Sequence, residues 1–333
     1  MTPVPAVLDH AARFAASLGL RYPLFQAPVG SIARPELVAA VAEAGGLGAL
    51  ALTWTAPPEA RAQIERVRKQ TQGPIQANFV LAFAPRSLPV ALEAGVRTIT
   101  FSWGLPAGEV SLVRSFGARL GIQVATVDDA RRALDLGADF LICQGVEAGG
   151  HVQATRSLWE LLPLIVAAAE GAPVIAAGGM GDGSAVARAL SCGASAAALG
   201  TRFVATRESA AHELYKNRLL AADARDTALT LCFDGAWPCA AHRVLRNSTL
   251  SNWEAAGSPP AGSRPGEGEC LAIDPPHQRF FRYDDTPPRA TMSGDIEAMC
   301  LYAGTSCEAI HDLPSVQDLL GRLWCQCVAS VEC

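Results

Sequence analysis

From about residue 20 to residue 206 the chain repeats one unit: a short apolar run, then an alanine-rich amphipathic stretch, then a glycine. The apolar runs cover residues 22–27, 48–53, 75–80, 98–102, 119–125, 140–143, 174–177 and 196–199. They are short and nearly continuously apolar, the signature of strands covered on both faces. Amphipathic segments with helical spacing lie between them, among them residues 35–44, 57–70 and 127–136. Pro35 and Pro57 suit the first turn of a helix, where the missing N–H is not needed. Asp128 and Asp129 place negative charge at a helix start, as the macrodipole favours. Gly45, Gly73, Gly95, Gly117, Gly137, Gly171 and Gly193 fall where these helices end, and a left-handed closing residue is expected at each.

Eight strands alternating with helices predict a parallel α/β fold. Eight is also the number that closes a barrel, so a (β/α)8 TIM barrel is the better reading than an open doubly wound sheet. After Thr206 the rhythm stops. Residues 208–226 and the stretch beyond read as helical and charged, and residues 257–268 (GSPPAGSRPGEG) cannot form regular structure. Residues 315–331 read as a last amphipathic helix. The expected organisation is therefore a barrel over residues 1–226, a smaller helical and loop-containing lid inserted after strand eight at 227–309, and a C-terminal helix in 310–333 returning to the barrel.

Composition narrows the function classes. An apolar content of 50% is enough for one large core, and the net charge of −5 is spread along the chain. With no basic run or aromatic-interleaved basic stripe, a nucleic-acid partner has no support. No window approaches the run of about 18 apolar residues that a membrane span needs. The first twenty residues, with His10 and Arg13, lack the basic start and apolar core of a leader peptide, so a cytoplasmic protein is expected. The ten cysteines are irregularly spaced, with no C-x-x-C pair and no histidine at zinc-ligand spacing. Reduced, mostly buried thiols and no metal are the expectation.

In a barrel of this kind the chemistry sits at the C-terminal ends of the strands. Those ends hold residues 26–30, Asn78, Gln123, residues 144–151, residues 177–183 and residues 199–203. Two adjacent ends are glycine-rich, at 178–183 and around Gly200, where bare backbone N–H groups let an anion come close. Together they favour phosphate binding over simple tight turns, with the Thr201 hydroxyl as a further donor. His151 is the one histidine placed at a strand end in a glycine-rich loop, where an imidazole can take a proton or hydrogen-bond an anion near neutral pH. His10, His212, His242, His277 and His311 are assigned a surface role, and Glu147 a structural one, capping or pairing with a base such as Arg156.

The segment Gln144-Gly145-Val146-Glu147-Ala148-Gly149-Gly150-His151 resembles the active-site segment of the nitronate monooxygenases, formerly 2-nitropropane dioxygenases. The runs at 176–183 and 199–203 resemble that family's phosphate segments, and the likeness extends over about residues 21–209. The resemblance implies an FMN cofactor. Ala27, Pro28 and Asn78 would lie along the isoalloxazine, Gln123 and Gln144 near its polar edge, and Gly149 close to it. Gly178, Gly179, Ala198, Leu199, Gly200 and Thr201 would hold the phosphate, and His151 would face the substrate. It also implies oxidation of an alkyl nitronate with O2 to a carbonyl compound and nitrite, by a monomer or homodimer. After the histidine the family usually has a glycine one residue further on, where Val152-Gln153-Ala154 stands here. Two readings compete. One is an FMN-dependent NAD(P)H-using reductase, similar to an enoyl-acyl-carrier-protein reductase or an NADH:quinone reductase. The other is a non-enzymatic barrel that binds a phosphorylated ligand or a protein.

Overall fold

The computed structural model describes residues 8–235 and 237–332; residues 1–7 and the thiol expected at Cys333 lie outside the described residues. Helix α1 (Asp9–Ser17) precedes β1 (Leu24–Gln26), α2 (Pro35–Glu43), β2 (Gly48–Ala51), α3 (Pro57–Arg68) and β3 (Ile75–Val80). The alternation continues through α4 (Leu88–Glu93), β4 (Thr98–Ser102), α5 (Val110–Ser115), β5 (Arg119–Val124), α6 (Val127–Asp135) and β6 (Phe140–Gln144). A two-residue strand, β7 (Gly150–His151), interrupts it before α7 (Leu158–Ala168), β8 (Val174–Ala177), α8 (Gly183–Ser191), β9 (Ala196–Leu199) and the single turn α9 (Thr201–Val204).

All eight expected strands are present. They form one parallel sheet in the order β1-β9-β8-β6-β5-β4-β3-β2. The ring closes where β1 meets β2. Phe25 bridges Leu47, Gln26 N donates to Leu47 O at 2.9 Å, and Leu47 N donates to Leu24 O at 3.0 Å. The Gln26 side chain adds a further tie, its Oε1 accepting from Ala49 N at 2.8 Å. The N-terminal end is plugged by α1: Phe14 packs on Phe25 and Phe140 with ring centroids 6.3 and 6.1 Å apart, beside Ile175 and Ala196.

The glycine ladder holds at six of its seven rungs, Gly45, Gly95, Gly117, Gly137, Gly171 and Gly193, all with positive φ. Gly73 is different. It lacks positive φ and is bare because a Cβ would stand 2.8 Å from Ala42 O.

Beyond the barrel come α10 (Glu213–Leu220), β10 (Thr227–Thr230), β11 (His242–Leu245), α11 (Ser248–Ala255), β12 (Cys270–Asp274), β13 (Gln278–Phe281), β14 (Ser293–Gly294) and α12 (Val316–Glu332). The segment 227–309 has the long loops and one helix of the sequence reading, but most of its regular structure is strand. The helical expectation for the stretch after residue 226 is therefore corrected. The β12–β13 hairpin exposes one side and buries the other through Leu271, Ala272 and Phe280, which is a sheet pattern masked by charged neighbours. Helix α12 lies back on the barrel, burying Leu319, Leu320, Leu323 and Cys327. No helix among the described residues is long and apolar enough to cross a membrane.

Nine cysteines are described, all free thiols, five of them buried. Burial pushes the Cys143, Cys232 and Cys327 thiols up to about 12, while Cys239 and Cys325 are exposed. Alkylation of the native protein at pH 8, mapped by mass spectrometry, should label Cys239 and Cys325 and spare Cys143 and Cys300 until denaturant is added. Native labelling of Cys143 would contradict the packing described.

Candidate active site

The loop from β6 to β7 is fixed before it reaches its histidine. The Glu147 carboxylate accepts from Ser157 Oγ at 2.5 Å and from Leu158 N at 2.9 Å, capping α7. This is the structural role expected of it, although Arg156 pairs with Glu160 instead. Arg243 grips the other side, Nε and Nη2 both donating to Val146 O at 3.1 and 2.9 Å. The chain then runs into β7, which pairs antiparallel with β11, setting His151 opposite His242 and Gly150 opposite Arg243. Val152 N extends the ladder to Ala241 O at 2.8 Å.

His151 thus sits at the C-terminal mouth of the barrel inside an aromatic shell. Trp237 stacks on the imidazole with ring centroids 4.3 Å apart and planes 26° apart. His242 and Tyr302 lie at 5.3 and 5.7 Å. His151 Nε2 is buried without a hydrogen-bond partner among the described residues. Burial first, and the neighbouring His242 second, push the His151 pKa down to about 3, so its imidazole is neutral at physiological pH. His242 was expected at the surface; it is fully buried. Its Nε2 accepts from Phe233 N at 3.2 Å and its Nδ1 lies 2.9 Å from Ala240 O, which fixes the neutral Nδ1–H tautomer.

Glutamines line the adjoining wall. Gln123 Nε2 donates to Gln144 Oε1 at 3.2 Å and to Gln153 Oε1 at 3.0 Å, and Gln144 Nε2 reaches His151 O at 3.4 Å. Trp103 N also donates to Gln153 Oε1, at 3.1 Å. Asn78, buried at the end of β3, donates to Thr100 Oγ1 at 3.1 Å. Ala27 and the exposed Pro28 follow β1, with Ala27 N bonded to Leu199 O.

Next to the loop that carries His151, Gly178 and Gly179 both have positive φ, 106° and 69°. The amides of Gly179, Gly200 and Thr201 donate to no group among the described residues. Thr201 Oγ1 accepts from Gly304 N at 3.0 Å, which leaves its own O–H free to donate. Neutral amide and hydroxyl donors on adjacent strand ends, beside the buried backbone of Ala198 and Leu199, form a donor set that fits a phosphate. Gly149 serves a close approach: a Cβ there would stand 2.5 Å from Gly304 N. Among the described residues no group of side chains could hold a metal ion.

The structure therefore brings the expected residues to one mouth and adds others that the sequence reading missed: Trp103, Gln153, Trp237, His242, Tyr302 and Gly304. Trp103 was findable, since it follows the fourth strand directly. The others, apart from Gln153, come from the segment after residue 226, whose pairing no local pattern reveals.

Gly149→Ala should force backbone apart and lower stability by roughly 1–3 kcal/mol, read as a fall in the thermal midpoint. An unchanged midpoint would show that the contact with Gly304 is not close. The lowered histidine pKa has a definite sign. The unfolded chain binds a proton near pH 6.5 that folded His151 refuses down to about 3. Its contribution is thus intact above pH 6.5 and is lost as pH falls below it, with a slope approaching about 1.4 kcal/mol per pH unit. Urea unfolding at pH 7 and pH 5 should show this loss, and a smaller one in His151→Asn; equal losses would refute the assignment.

The family model described as nitronate monooxygenase matches residues 12–89 and 83–326. A nitronate monooxygenase from Pseudomonas aeruginosa is 30% identical, over 92% of this chain and 96% of its own length. Among solved structures, FabK from Thermotoga maritima is similar with a TM-score of 0.80 at 29% identity, covering 96% of this chain and 97% of that one. A nitroalkane oxidase from Streptomyces ansochromogenes gives a TM-score of 0.77 at 28% identity, covering 96% and 99%.

Proposed function

Because the chain belongs to the nitronate monooxygenase family, and with it to the oxidoreductases, we propose that it binds FMN across the barrel mouth and oxidises nitronates with O2 to a carbonyl compound and nitrite. The observation that carries this reading is a neutral, buried imidazole with an uncommitted Nε2, facing the same mouth as a phosphate-type donor set. When bound, FMN supplies the redox chemistry. Gly178, Gly179, Ala198, Leu199, Gly200 and Thr201 hold its phosphate, Ala27, Pro28 and Asn78 flank its ring, and Gln123 and Gln144 meet its polar edge near Gly149. The side-chain oxygens Asn78 Oδ1 and Gln123 Oε1 accept nothing among the described residues and are available to the cofactor.

His151 does the protein's share of the work on the substrate. A nitronate is already an anion rich in electrons, so no strong base is required. As a donor, the neutral imidazole hydrogen-bonds a nitro oxygen; as an acceptor, Nε2 takes the α-proton if the neutral nitroalkane binds. Such a contact is effective only where it is preorganised and dry. Residues 227–309 act as the lid that keeps water out, through Trp237 and the β10–β11 pair.

The purified protein loaded with FMN should release nitrite from an alkyl nitronate in air. His151→Asn should keep the flavin spectrum and lose turnover by about 100-fold or more; unchanged turnover would sink the role. Rapid anaerobic bleaching of the flavin by NADH or NADPH, without nitrite release, would reassign the site to a reductase.

A further inference from the structure

We propose that Trp103 and Trp237 set the substrate preference of this site, selecting a nitronate whose reacting carbon carries a flat aromatic substituent; this rests on the function proposed above. Trp237 is the hub of a wall of rings over His151. Its indole lies 4.5 Å from Trp103, 5.4 Å from Phe83 and 6.3 Å from Trp54, centroid to centroid. Val80 and Ala240 pack into the same apolar cluster. Trp54 leaves an exposed ring at the rim, 56% accessible.

The backbone at this wall is held in place rather than relaxed. Trp103 has φ 59° and Cys239, two residues beyond Trp237, has φ 64°. A bulky side chain in the left-handed region persists only where its surroundings over-determine it. For Trp103 the restraint is the side chain of Gln153, which accepts its amide hydrogen. For the Trp237 loop it is His242, which accepts from Phe233 N and is bonded to Ala240 O. Two strained positions supporting two touching indoles point to a built surface.

His151 Nε2 is sealed, and the ring lying on its imidazole is Trp237. A substrate that reaches this nitrogen must enter beside that stacked pair and meet the Trp237 and Trp103 rings. A flat π substituent does so by packing on the Trp237 ring and against the Trp103 edge. A methyl or ethyl group leaves the same area uncovered, and a puckered ring cannot lie flat on it.

Benzoate is the probe: an aryl group on a planar anion that resembles an aryl nitronate and does not react. Isothermal titration calorimetry on the FMN-loaded protein should show benzoate binding about tenfold tighter than either acetate or cyclohexanecarboxylate. Trp237→Ala, Trp237→Leu and Trp103→Ala should each erase most of that preference. The ratio of kcat/KM for the nitronates of phenylnitromethane and nitroethane should fall in parallel. Cyclohexanecarboxylate binding as tightly as benzoate to the unaltered protein overturns the proposal, whether or not any variant folds. So does a preference unchanged in folded Trp237→Leu. If neither nitronate turns over but the benzoate preference and its loss are found, the aromatic site stands and the assigned reaction fails. If both nitronates turn over equally and benzoate shows no preference, the reaction stands and this proposal falls.

Discussion

The site depends on closure of the sheet between β1 and β2. Eight parallel strands left open would present two unpaired edges and spread their C-terminal ends along a line. Here Phe25, Leu47 and the Gln26 amide join the last seam, so every strand end converges on one mouth. The seam is short and partly borrowed: a side-chain oxygen accepts from Ala49 N. Asn78, Gln123, Gln144, Gly178 and Thr201 are neighbours only because the ring is shut.

On that ring the active-site loop is placed by contacts from three directions. Glu147 ties it to α7, Arg243 ties it to β11, and Gly149 lets it press against Gly304. The result is an imidazole surrounded by rings and kept neutral chiefly by burial. That neutrality follows from exclusion of water and needs no partner. Arg202 shows the opposite solution in the same region: buried, it keeps its charge by bonding Asp312 and the Ala205 carbonyl, anchoring the start of α9 to the chain leading into α12.

Much of this was legible from local pattern. Buried parallel strands are continuous apolar runs, so all eight stood out, and the helix-closing glycines marked the breaks between them. The glycine-rich ends at 178–183 and around Gly200, and the loop carrying His151, could be placed because strand polarity decides which end of a barrel does chemistry. Where the reading failed, the decisive contacts were distant in sequence. His242 stands in a short segment beside Arg243, and nothing nearby reveals that β7 will cover it. The strands after residue 226 have five residues at most, too few for alternation to outweigh charged neighbours. Gly73 showed the same limit in miniature, a glycine required by Ala42 across space rather than by its own turn.

The pairing of β7 with β11 also orders events during folding. The barrel strands pair with neighbours close in sequence, except where β1 pairs with β9, and residue 151 must likewise find residue 242. Closing so long a loop has an entropic cost that few hydrogen bonds repay at once. A chain emerging from synthesis can complete most of its barrel while His151 still hangs in an open loop. His151 is enclosed only when β11 docks on β7, and local opening of that pair would expose it while the barrel stays folded.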